Sequence, residues 1–68
     1  MIYKVSYAVV GKPHLGMMID QDTAPQVGEQ ILLGADDEVC EIVEVQDLMP
    51  PMGDFAYLHV TCKPVEET

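Results

Sequence analysis

The chain has no arginine, no tryptophan, a single phenylalanine and only three lysines in 68 residues. Lys4, Lys12 and Lys63 stand against twelve Asp and Glu, so the formal net charge is −9. Affinity for nucleic acid comes largely from cations that neutralise phosphates. Three scattered lysines make no basic stripe, and the net field repels a polyanion. Nucleic acid is thus not an expected partner, and anionic membrane surfaces are disfavoured on the same ground. A basic protein partner remains compatible with the charge, although an acidic skin also serves solubility alone.

Cysteine is scarce as well. Cys40 and Cys62 have no closely spaced partners of the kind that build structural zinc sites. Their setting is rich in carboxylates and poor in cations, the opposite of what lowers a thiol pKa for nucleophilic work. They read as small interior groups. A disulfide between them requires facing positions on neighbouring strands and an oxidising compartment. The opening Met-Ile-Tyr-Lys-Val-Ser carries no signal-peptide pattern. No stretch approaches the roughly 20 apolar residues that a membrane-spanning helix needs. The expected location is cytoplasmic, with reduced thiols.

Other chemistry is missing too. The five glycines are dispersed and form no phosphate cradle. Asp20-Gln-Asp22 opens like a calcium loop, but the positions that need glycine and glutamate hold Pro25 and Ile31. The runs Asp36-Asp37-Glu38 and Glu66-Glu67 sit in a turn and a tail, where carboxyls are solvated rather than tuned for acid–base catalysis. No catalytic residues and no cofactor are assigned, and the expected protein is not an enzyme.

What is present is alternation. In Phe55-Ala-Tyr-Leu-His-Val-Thr-Cys62, Ala56, Leu58, Val60 and Cys62 share one side, and Tyr57, His59 and Thr61 the other. Period two marks a strand with one dry face. Residues 2–10 repeat the pattern, with Tyr3, Val5, Tyr7 and Val9 on one face. Gly11-Lys12-Pro13 breaks the chain, and Leu15 to Asp20 reads as a second strand in an antiparallel hairpin with the first. Residues 21–28 form a polar connection, and Glu29 to Leu33 a short third strand. Gly34-Ala-Asp-Asp37 is a turn, and Glu38 to Gln46 a fourth strand. Its alternation slips near Ile42–Val43, which predicts a bulge. Leu48 to Asp54, with two prolines and a glycine, reads as a loop, residues 55–64 as the fifth strand, and Val65 to Thr68 as an acidic tail.

The expected fold is therefore all-β: one domain over 1–64, a small five-stranded antiparallel, partly open barrel of SH3-like or OB-like kind. The stretch Pro25 to Leu33, followed by a turn and Val39 to Val45, resembles an arrangement common to small β-barrel modules, which bears on fold and not on task. A chain this short buries only about 60% of its unfolded surface, so pairing with a second copy would hide more.

One feature points to function. Leu48-Met-Pro-Pro-Met-Gly-Asp-Phe55 is apolar within an acidic protein. Methionine adapts to varied surfaces, and prolines lower the entropy cost of docking. The candidate partner-binding residues are Met49, Pro50, Pro51, Met52, Phe55, Tyr57 and His59. They predict a non-catalytic interaction or accessory module that binds a protein partner, or itself. A competing reading has Leu48, Met49, Met52 and Phe55 plug an open barrel end. The alternative function is a small-molecule or metal-binding barrel that uses His14, His59, Cys40 and Cys62.

Overall fold

The computed structural model describes residues 1–34 and 37–65, with only the backbone at Pro51. The predicted turn residues Ala35 and Asp36 and the tail from Glu66 to Thr68 lie outside the described residues.

Alternating residues become strands wherever one side can be dried. β1 spans Ile2–Val9 and buries Val5, Tyr7 and Val9. β2 spans Met17–Gln21, β3 spans Gln30–Leu33, β4 spans Glu38–Met52, and β5 spans Phe55–Pro64. On β5 the inward residues Ala56, Leu58, Val60 and Cys62 are all buried, as the period requires. The strands form one curled sheet in the order β2-β1-β5-β4-β3. The class is all-β and the architecture a partly open barrel.

The pairing differs from expectation in one respect. β1 lies beside β5 in parallel, Val5 opposite Leu58 and Val9 opposite Cys62, so the sheet is mixed rather than wholly antiparallel. A parallel pair needs a long crossover between its strands, and here β2, β3 and β4 are that crossover. β1–β2, β3–β4 and β4–β5 are antiparallel.

Two boundaries also move. Leu15 is not on the second strand. Pro13–Leu15 forms a 3-10 turn, with Pro13 in its first turn, and its buried Leu15 joins the core. Residues 48–52, expected as loop, continue β4 up to a turn at Gly53 and Asp54. Proline is tolerated in a strand where its missing N–H faces no partner, and β3 accompanies β4 only from Glu38 to Glu41. The predicted bulge is present, as a register shift between Ile42 and Glu44. Two more shifts follow, between Asp47 and Met49 and between Met49 and Met52.

The core gathers Val5, Tyr7, Val9, Leu15, Leu33, Cys40, Ile42, Leu58, Val60 and Cys62. Among the described residues no polar or charged residue is buried. Tyr7 reaches its partner at the margin, where its hydroxyl donates to Gln21 Oε1 at 2.7 Å. Gln21 Nε2 in turn donates to the Thr23 carbonyl at 2.6 Å.

Gly34 closes the β3–β4 turn at φ +81°, and a Cβ there would stand 2.6 Å from Leu15 Cδ2. Gly34→Ala is therefore expected to lower unfolding free energy by about 1–3 kcal/mol. Gly11→Ala, at φ +76° with open space around it, should show the backbone part alone, about 1–2 kcal/mol. Urea midpoints of the two variants measure the difference. Equal losses would mean that Leu15 yields without resistance.

Candidate functional site

The hairpin end of the sheet carries the candidate residues. Residues paired across neighbouring strands lie on the same face, so the register reads out the outer surface row by row. The first row is Ile2, Phe55 and Met52. The second is Asp20, Lys4, Tyr57 and Met49, and the third Met18, Ser6, His59 and Gln46. Met49, Met52, Phe55, Tyr57 and His59 thus share one face, as the sequence analysis grouped them.

Their exposure separates the two readings of the Met-Pro segment. Leu48 is 55% exposed, Met49 44%, Met52 65% and Phe55 41%. None of the four is buried, so they do not plug the barrel. Tyr57 and His59 are half-buried by their flanking rows. Pro50, also exposed, lines a groove of about 430 Å³ with Asp47, Leu48, Met49, Ala56 and Tyr57. The groove follows the bulged part of β4. Pro51 belongs to the same strand.

Sequence reasoning missed Ile2, Lys4 and Met18. They enter because β1 lies beside β5 and β2 beside β1. The alternation of Ile2, Lys4, Ser6 and Ala8 was the available signal, but nothing local says which strand is its neighbour. Lys4 ties the patch together. Its Nζ lies 5.3 Å from the Phe55 ring centroid and 3.3 Å from Asp20 Oδ2. A cation over an aromatic face adds attraction to packing. The pair is largely solvated, so its contribution to stability is small.

The alternative ligands are dispersed. Cys40 and Cys62 are buried on the inner face and free. His59 lies on the outer face, and His14 is exposed in the 3-10 turn. Among the described residues no three His, Cys, Asp or Glu side chains come together to hold a metal ion. The two thiols are not cross-strand partners, since Cys40 faces Pro64 and Cys62 faces Ile42. Desolvation pushes the Cys62 thiol up to about 11, with Cys40 adding to it. Cys40 is raised too, by burial and then by Glu38. These directions oppose nucleophilic activation.

A second groove, also about 430 Å³, lies at the other end of β4 and β5, between Lys12, Glu38, Val39 and Pro64. Lys12 Nζ sits 2.8 Å from Glu38 Oε2 there. Among the described residues no helix is long and apolar enough to cross a membrane. Comparison of the chain with family models, curated proteins and solved structures finds no match.

Proposed function

We propose that this protein is a non-catalytic interaction module that binds a protein partner through the outer face of the β4–β5 hairpin. The observation that carries the reading is the adjacency of Met49, Met52, Phe55 and Tyr57 on one open face. Contiguous exposed apolar surface on a small soluble protein marks contact sites more often than scattered single residues do. Two flexible thioethers around two rigid rings suit a surface that adapts to its partner. The −9 charge favours a partner with basic character and disfavours polyanions. The buried free thiols accord with a reducing, cytoplasmic setting.

The test compares proteins retained from lysate by the wild type, by Met49→Ser/Met52→Ser and by Val10→Ser. Val10 is 59% exposed just past β1, where its N–H donates to the Cys62 carbonyl, at the opposite end of β5 from the hairpin turn. The expected result is a set of bound proteins shared by wild type and the Val10 variant and lost from the double variant. An unchanged set in the double variant overturns the role of this face.

A further inference from the structure

We propose that the outer edge of β4 from Val43 to Met49 takes up an extended, lysine- or arginine-bearing segment of the partner as an added strand. This deepens the interaction reading above and rests on it, naming the mode of docking and the chemistry of the ligand.

The edge is open on one side only. β3 pairs with β4 no further than Glu41. The last backbone bonds on that side run from Ile42 N to the Glu29 carbonyl and from Gly28 N to the Ile42 carbonyl, each 2.8 Å. Past Ile42, no strand among the described residues pairs there, while the other side stays on β5 as far as Met52. Unpaired strand edges accept extended peptides, with main-chain bonds giving affinity and neighbouring side chains giving selectivity. The stretch is bounded at both ends: the 28–29 segment blocks one, and Pro50-Pro51, without N–H groups, stop a ladder at the other.

Charge names the occupant. Glu44, opposite Thr61, and Asp47, opposite Leu58, are exposed on the two faces of this edge, and no lysine lies on it. Lys4 is engaged with Asp20 on β2, and Lys12 with Glu38 at the start of β4, beyond this stretch. A second copy of the chain would set Glu44 and Asp47 close to their own counterparts, and like charges on paired strands destabilise them. A segment bearing cations meets the same carboxylates with attraction. The groove formed by Asp47, Leu48, Pro50 and Ala56 gives such a strand a place for one apolar side chain.

The probe is a synthetic peptide of about eight residues with two adjacent central lysines, one for each face of the edge, flanked by valine and threonine; at roughly 3.3 Å per residue it covers the edge. It is titrated into the full ¹⁵N-labelled chain. The expected result is saturable binding, with amide shifts concentrated from Val43 to Met49. N-methylation of alternate peptide bonds keeps the charge but removes donors, and should weaken binding about tenfold or more. Glu44→Gln/Asp47→Asn should also weaken it about tenfold. Shifts spread evenly over carboxylates elsewhere, or equal binding of the N-methylated peptide, overturn the proposal. So do edge shifts that grow with protein concentration without peptide, since these assign the edge to a second copy. The two readings fail separately. Lysate partners lost with Met49→Ser/Met52→Ser, but no edge shifts, overturn the added strand alone. Edge shifts with lysate partners indifferent to both methionines overturn the face alone.

Discussion

Ile42→Ala is expected to lower the unfolding free energy by about 2–5 kcal/mol, the range for truncating a buried isoleucine whose site cannot collapse. Ile42 is fully buried and sits where three segments meet. It faces Cys62 on β5, and its backbone N and O bond Glu29 and Gly28. Those bonds hold the surrounding backbone in place, so the cavity stays open. A domain of this size has about 5 kcal/mol to lose, which puts the variant at the edge of unfolding at 25 °C. Val43→Ala is the internal control. Val43 is the extra residue of the bulge and is 38% exposed, so its truncation should change stability by about 0.5 kcal/mol or less. Urea unfolding of both variants decides the matter. Comparable losses would show that the register slips elsewhere than between Ile42 and Glu44.

The second large effect is on alkaline stability. In water a thiol ionises near about pH 8.5, whereas Cys62 in the folded protein is pushed up to about 11 by burial and then by Cys40. Between these values the unfolded chain has released its proton and the folded chain has not. Unfolding therefore becomes easier as pH rises, by about 1.4 kcal/mol for each pH unit and titrating group. The stabilisation is fully present below the unfolded pKa and is lost as pH climbs through the folded one. Cys40 acts in the same direction. So does Tyr7, raised first by burial and then by Cys62. Denaturant midpoints from pH 8 to about 11 should fall steadily. Cys62→Ala should start lower, because it leaves a small void, and then fall less steeply. A wild-type profile flat over that window would show that the thiol is hydrated in the native state.

The legible parts of the fold were those with a local cause. The alternation in residues 55–64 gave β5 its ends, because a central strand must bury every second residue. The lost alternation near Ile42 located the bulge for the same reason. Leu15 was misplaced because its burial comes from the turn opened by Pro13, a local geometry that does not extend the strand period. The prolines at 50 and 51 were read as breakers. That holds only for a strand paired on both sides, and the absence, among the described residues, of a strand beside β4 past Ile42 is a fact of assembly that no short window contains. The parallel partnership of β1 and β5 was hidden likewise. The face formed by Met49, Met52, Phe55 and Tyr57 was legible as a group, since those residues are close in sequence. Ile2 and Lys4, far along the chain, were not.

The position of β5 has a consequence for how this chain is made. The last of the five strands in chain order is the middle one, paired with β1 on one side and β4 on the other. Before it leaves the ribosome, the apolar faces of β1 and β4 have nothing between them. The four earlier strands can form at most two separate ribbons, and short two-stranded ribbons are marginal in water. Folding of this sheet thus waits for β5, and products that stop before it should be handled in the cell as unfolded polypeptide.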